Sequence, residues 1–234
     1  VLVAFHVRAS DGSAPPASST FPANAPAREC LVRFGETQPF GSLGSYRLWM
    51  TKATHQRWST RGNNSNQPLD CTFMNGNQRI IYNMGAMYSG SPFKTPGYDS
   101  PTGVGCDYNL NFPDDDRFLG ATSFEIATPG NFPGEAEPTA LREQLSYWVA
   151  RQLGLPFMER RFIHFFVNGV ERSLIMEDTQ IPNSDVVEEW FPEDPDGELF
   201  KTSFSFEIDE ATPAPMTWIP ASLQIFNTTG GIKK

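Results

Sequence analysis

The sequence is poor in cysteine, histidine and lysine, and it has no long hydrophobic run. Its three cysteines, Cys30, Cys71 and Cys106, are too widely spaced for a zinc motif, which needs close pairs of ligands. No apolar stretch approaches the roughly 18 residues that a membrane-spanning helix requires. The net charge of -9 argues against a nucleic-acid partner and against binding to an anionic membrane, because both need a basic face.

The chain nevertheless contains enough apolar material to fold. Hydrophobic residues make up 39% of it and aromatic residues 13%, which is sufficient for a sizeable core. The acidic isoelectric point, the low lysine content and the many Asn, Ser, Thr, Gly and Pro residues favour an extracellular or cell-surface protein. The chain begins within a strand-like pattern and ends in Gly-Gly-Ile-Lys-Lys, so we expect it to be a segment of a longer polypeptide.

The cysteines leave two interpretations open. All three are buried thiols, or Cys71 and Cys106 form a disulfide across a region rich in Gly, Asn and Pro, with Cys30 free or paired outside the segment.

The hydrophobic pattern predicts an α+β fold, a mostly antiparallel sheet with one main packed helix. Asn75-Gly76 and Asn168-Gly169 each lie between strand-like runs, and Asn-Gly is a strong hairpin signal. Two short helices are expected after capping residues, one over 52–58 behind Thr51 and one over 185–190 behind Asn183.

The main helix is predicted over residues 139–153. Its apolar residues recur at helical spacing and form one stripe, which we expect to face the sheet. The stripe consists of Leu141, Leu145, Trp148, Val149 and Leu153.

The order of these segments resembles the CotH (spore-coat protein H) kinase-like family. The similar region covers residues 79–202, about half of the chain, and depends on the succession of segments, since no one motif is specific. The segments are 79–87, 107–112, Phe118-Leu119-Gly120, 141–147, Leu155-Pro156-Phe157, 166–170, Met176-Glu177-Asp178 and 196–201.

The resemblance implies the small lobe of a divergent protein-kinase-like fold, ATP with Mg²⁺ or Mn²⁺ as cofactor, and a secreted or cell-surface protein as substrate. It also implies a nucleotide site to which six residues contribute. These are Ser89 and Gly90 in the loop over the phosphates, Glu143 in the central helix, Glu177 and Asp178 at the hinge, and Lys201 near the phosphates.

The same resemblance divides the chain into an extension (1–75), a small-lobe region (76–206) and the start of a truncated following region (207–234). Two departures from the family indicate an incomplete or degenerate catalyst. Gly105-Cys106-Asp107 stands where family members commonly carry paired lysines, and no lysine occurs between Lys94 and Lys201. The large-lobe aspartates are also missing from this segment.

Each site residue also has a simpler interpretation. Glu143 fits a solvated acid near a helix N-terminus, Glu177-Asp178 an exposed turn, and Lys201 a surface lysine. The alternative function is a non-catalytic adhesion or carbohydrate-binding module. A sugar platform would use the aromatic residues near the long loop, which are Trp49, Trp58, Tyr88, Phe93 and Tyr98.

Overall fold

The structure, a computed structural model, describes residues 1–61, 67–89, 100–103, 106–129, 139–197 and 199. The predicted region 207–234 lies outside these ranges. The described strands are β1 (Leu2–Phe5), β2 (Val7–Ser10), β3 (Ser18–Phe21), β4 (Cys30–Arg33), β5 (Gly44–Trp49), β6 (Leu69–Asn75), β7 (Arg79–Ser89), β8 (Asp107–Asn111), β9 (Ser123–Ala127), β10 (Arg160–Val167), β11 (Val170–Glu171) and β12 (Met176–Gln180). The described helices are α1 (Lys52–Thr60), α2 (Arg142–Gln152) and α3 (Ser184–Trp190).

Seven strands form a closed barrel in the order β5-β6-β7-β8-β9-β12-β10. Neighbouring strands are antiparallel except at the seam, where β10 pairs with β5 in parallel and closes the ring. β10 reaches both neighbours because its first half, 160–163, pairs with β12 and its second half, 163–167, pairs with β5. Closure thereby pairs the two edge strands that an open sheet would leave exposed.

The prediction of an α+β small lobe with one packed helix is therefore wrong. Of the described residues, 39% lie in strands and 16% in helices, and the main sheet curls into a barrel. The inner faces of the strands meet across the barrel axis, so the sheet buries its apolar face against itself and needs no helix to cover it.

Aromatic side chains fill the barrel interior. The rings of Tyr46, Phe73, Phe112, Phe118 and Phe124 contact one another at centroid distances between 4.9 and 6.1 Å, mostly edge to face. Such edge-to-face contacts add to the stabilisation that burial of the rings provides.

The two predicted short helices form as expected. Thr51 caps α1 by accepting a hydrogen bond from the Thr54 amide, and Asn183 caps α3 by accepting one from the Asp185 amide. α1 also places Trp58 against the buried ring of Tyr88. Local capping chemistry was thus sufficient to locate these helices.

The main helix forms as α2, but its predicted packing is wrong. Every residue of the apolar stripe is exposed, with between 43% and 67% of its surface accessible, and none of the residues of α2 is buried. The helix instead turns its polar side towards the barrel, through contacts described below.

The N-terminal strands lie outside the barrel. β1 pairs with β4, and this small sheet is tied to the barrel wall by a hydrogen bond from the Leu31 amide to the Thr72 hydroxyl, 3.1 Å long. β5 and β6 belong to the barrel itself. The predicted boundary at 75/76 consequently falls at the hairpin between β6 and β7, and residues 44–75 pack with the strands that follow them.

The second predicted hairpin turn also ties down the parallel seam. Asn168 and Gly169 have φ angles of 48° and 81°, as a tight Asn-Gly turn requires. The Asn168 side chain accepts a hydrogen bond from the Met50 amide at 3.0 Å and donates one to the Met50 carbonyl at 3.1 Å. A single turn residue therefore links the end of β10 to the segment that follows β5.

Two replacements of Asn168 are expected to separate the contribution of its side-chain hydrogen bonds from that of its left-handed backbone. Asn168→Gly keeps the left-handed backbone but removes both side-chain hydrogen bonds, so we expect a loss of about 1–3 kcal/mol. Asn168→Ala adds the strain of a Cβ at positive φ, for about 1 kcal/mol more. Urea unfolding of both variants measures the difference. Equal stability of the two would contradict the assigned backbone strain.

Candidate functional site

Glu177 and Asp178, the predicted hinge residues, are neighbours on β12 but point to opposite sides of the barrel wall. Both are buried, with 1% and 0% of their surface exposed. The β12 backbone pairs on both sides, with β9 through Ala127 and Ile126 and with β10. These ladder bonds occupy the main-chain groups that a hinge would offer to adenine.

Asp178 points into the barrel, where a tyrosine and an arginine hold it. The Tyr46 hydroxyl donates to its carboxylate at 2.5 Å, and Arg161 binds it in a bidentate manner at 2.5 and 3.2 Å. Burial, reinforced by the Asp178 charge, raises the pKa of Tyr46 well above its ordinary value, so Tyr46 acts here as a hydrogen-bond donor. This arrangement satisfies a buried charge.

Glu177 points outwards, beneath α2, into a group of side chains that we call the polar clasp. The clasp consists of Glu143, Gln144 and Tyr147 on α2, Arg160 on β10, and Glu177 on β12. The Gln144 amide donates to Glu177 at 2.6 Å, and Arg160 donates to Glu177 at 2.9 Å and to Glu143. The Arg160 guanidinium also lies 4.7 Å from the centre of the Tyr147 ring.

The electrostatics of the clasp are dominated by burial. Desolvation raises the pKa of the Glu177 carboxyl, and the positive charge of Arg160 works in the opposite direction. Arg160 itself keeps a raised pKa because the two glutamates outweigh its own desolvation. One arginine therefore bridges two carboxylates, and its single positive charge balances only one of their two negative charges.

Ser89 lies at the end of β7 and donates to Glu125 at 2.8 Å. The strand register places it three strands away from Glu177 on the outer face, about 14 Å at the usual strand spacing. Gly90 and Lys201 lie outside the described residues. Of the predicted nucleotide-site residues that are described, the structure brings only Glu143 and Glu177 together.

The cysteines are buried and free. Cys71 pairs with Met84 across the β6–β7 ladder, whereas Cys106 directly precedes Asp107, which pairs with Ser89 at the far end of β7. Met84 and Ser89 lie five positions apart on β7, about 16 Å of strand, while a disulfide needs Cα atoms within about 7 Å. The predicted disulfide is therefore absent, in agreement with the alternative of buried thiols.

The described residues of the predicted sugar platform are not exposed on the surface. Trp49, Trp58 and Tyr88 are all buried in the protein, so their faces are not available for stacking. Phe93 and Tyr98 lie outside the described residues. Within the described ranges, no group of three or more His, Cys, Asp or Glu side chains is placed to hold a metal ion.

The two arginines were missed as site residues, although the sequence contained a signal for them. Arg160-Arg161 opens one strand and Glu177-Asp178 lies in the next long strand, and the antiparallel register sets Arg161 directly opposite Asp178. Because side chains alternate along a strand, two adjacent arginines and two adjacent acids yield one ion pair on each face of the sheet.

Replacing Glu177 by glutamine is expected to make the free energy of unfolding less dependent on pH. The raised pKa of Glu177 means that the folded protein binds this proton more tightly than the unfolded chain does. The wild type should therefore lose stability relative to Glu177→Gln as the pH rises from the ordinary glutamate range through the raised folded pKa. Urea unfolding at a series of pH values measures the difference. If the wild type instead became more stable than Glu177→Gln as the pH rises, the raised pKa of Glu177 would be contradicted.

Comparison with known proteins assigns no family to this chain. No protein-family profile matches the chain, and no curated protein is significantly similar to it. Among the described helices, each is too short or too polar to cross a bilayer. The geometry of α2 and of β12 is consequently what guides the functional proposal.

Proposed function

We propose that this chain is a non-catalytic protein-binding domain of an extracellular or cell-surface protein, and that the apolar face of α2 contacts its partner. The observation that carries the proposal is the orientation of α2. Leu145 and Trp148 are 59% and 57% exposed while Gln144 and Tyr147 face the barrel. A contiguous apolar patch on a protein surface is typical of an interaction site, and an exposed tryptophan is a common anchor of protein interfaces.

The carboxylates support the non-catalytic part of the proposal. Glu143 and Glu177 share Arg160, and Asp178 is paired with Arg161. These ion pairs engage the acids that a phosphoryl-transfer site would need for binding a metal ion or a lysine. We propose the CotH resemblance only as a likeness in the order of segments, because the closed barrel differs from the kinase-like small lobe that the family implies and the chain lacks the family's paired lysines. A secreted or cell-surface protein is then its binding partner.

Photo-crosslinking tests the binding face. A photoreactive amino acid at Leu145 is expected to form adducts with a protein of the secreted and cell-surface fraction, and Trp148→Asp on the same chain should abolish them. The matched control places the same group at Leu174, which is 79% exposed but lies outside α2. Equal crosslinking from both positions, or none from Leu145, would overturn the proposal. Glycan-array binding that is unaffected by Trp148→Asp would instead support the carbohydrate-binding alternative.

Thermal shift with ATP tests the non-catalytic part. We expect no change in Tm at millimolar ATP with Mg²⁺ or Mn²⁺, because Glu143, Glu177 and Asp178 are already paired with arginines within the fold. A bound nucleotide at about 100 times its Kd would stabilise the protein by about 2.7 kcal/mol. A stabilisation of this size that Glu177→Gln removes would favour the kinase interpretation.

A further inference from the structure

Helix α2 is attached to the barrel in an unusual way. A surface helix normally docks through its apolar stripe, and burial of that stripe provides most of the attachment. In α2 the stripe faces away from the barrel and no residue is buried. The contacts that the helix makes with the barrel wall through the polar clasp are hydrogen bonds, ion pairs and one cation–ring contact.

The clasp depends on one side chain. Arg160 bridges Glu143 and Glu177 and lies over the Tyr147 ring, so three of the clasp contacts disappear together if its guanidinium is removed. Arg160 is also imperfectly satisfied. Its Nε is buried and has no hydrogen-bond partner among the described residues, which penalises the docked position.

The chain after α2 combines a helix cap with an anchor. Gly154 follows the helix with a φ of 67°, and the Leu155 amide donates to the Ala150 carbonyl at 3.0 Å, so these two residues form the C-terminal cap of α2. Three residues later, Phe157 is fixed by α3, since the Trp190 indole donates to its carbonyl at 3.0 Å and packs on its ring at 5.1 Å. The Arg151 guanidinium of α2 lies 5.5 Å from the centre of the same ring, so movement of α2 breaks this contact but does not require movement of the barrel beyond Phe157.

We infer that α2 is a detachable helix: the polar clasp holds it on the barrel wall, and breaking the clasp frees the helix as a unit while the barrel stays folded. The released helix, with its cap, turns about the segment between Leu155 and Phe157. Its polar side then becomes accessible in addition to its apolar face, and an isolated helix of this length is only marginally stable in water. A partner that binds the apolar face thus also controls whether the helix stays formed.

Hydrogen–deuterium exchange of the full chain tests the inference. In Arg160→Met we expect the amides of α2 to exchange about tenfold faster or more, while those of β9 and β12 keep their protection. High salt should speed α2 exchange modestly in the wild type, because it screens the exposed Glu143 half of the clasp more than the buried Glu177 half, and should have little further effect in Arg160→Met. The matched control is Arg79→Met, which removes an exposed ion pair with Asp116 far from α2 along the barrel.

Two further variants keep the test decisive if Arg160→Met does not fold. Glu143→Gln and Gln144→Ala alter the clasp from the helix side alone, and both should speed exchange selectively in α2. Leu145→Ala should leave the docking of α2 unchanged, since this side chain faces away from the barrel. The inference is overturned if α2 exchanges in step with the barrel strands in every variant, or if Leu145→Ala loosens the helix as much as the clasp variants do.

The idea that release of α2 regulates partner binding rests on the proposed function. The release itself is measured by hydrogen–deuterium exchange without any partner. Selective exchange of α2 with no crosslinking at Leu145 would keep the detachable helix and reject the proposed function. Crosslinking without selective exchange would do the reverse.

Discussion

Replacing Asp178 by alanine is expected to lower the free energy of unfolding by about 3–5 kcal/mol. The substitution removes the carboxylate that Arg161 binds in a bidentate manner. It also leaves the Tyr46 hydroxyl without its acceptor inside the barrel. A buried donor that loses its partner costs about 1–3 kcal/mol by itself. Because the Arg161 side chain is 43% exposed and partly solvated, we expect the lower part of the range.

Comparison with two other variants separates charge from hydrogen bonding at this position. Asp178→Asn keeps an oxygen that accepts from Tyr46 but loses the charge, so its effect should lie between that of alanine and the wild type. Asp116→Ala removes the partner of Arg79 in an exposed ion pair and should cost no more than about 1 kcal/mol. Urea unfolding followed by tryptophan fluorescence measures all three. If Asp178→Ala were as mild as Asp116→Ala, the carboxylate could not be buried as the structure has it.

Replacing Phe73 by alanine is expected to destabilise the protein by about 3–5 kcal/mol. Phe73 is fully buried on β6, and its ring meets those of Tyr46, Phe112 and Phe118 at centroid distances of 5.1, 5.3 and 4.9 Å. Alanine removes these contacts and leaves a cavity that a closed barrel cannot easily collapse, since its wall is fixed by hydrogen bonds on both sides of each strand.

The matched control is Phe40→Ala, because Phe40 is 99% exposed and should change stability by less than about 0.5 kcal/mol. Phe73→Leu retains most of the buried volume and should cost about 1 kcal/mol. Calorimetry or urea unfolding gives the three values. A loss below about 1.5 kcal/mol for Phe73→Ala would mean that the barrel interior is not close-packed.

The elements that could be predicted depend on short-range chemistry. Asn168-Gly169 adopts the left-handed turn that only such residues favour, and Thr51 and Asn183 cap their helices through contacts two or three residues away. The period of α2 was also visible, because helical spacing depends on the helix alone. What the period could not reveal is which side of the helix meets the barrel.

The candidate site was predictable only in part. Glu143 and Glu177 were identified, and the structure brings them to one arginine, but the sequence placed Glu177-Asp178 in a hinge or an exposed turn. Five consecutive residues of β12 are instead buried, including Asp178 and Gln180. A polar strand of this kind is stable only if partners elsewhere satisfy it, and here the arginines lie 17 residues earlier in the chain.

By itself the sequence determined the turns, the helix caps and the strand periods, since each depends on residues close together in the chain. Only the tertiary structure decided that the sheet closes, because the seam joins β5 to a strand more than 100 residues later, and such pairing has no local signature. Closure then decided the rest. A barrel that buries its own apolar face leaves α2 nothing to cover, so the helix docks by its polar side and exposes Leu145 and Trp148.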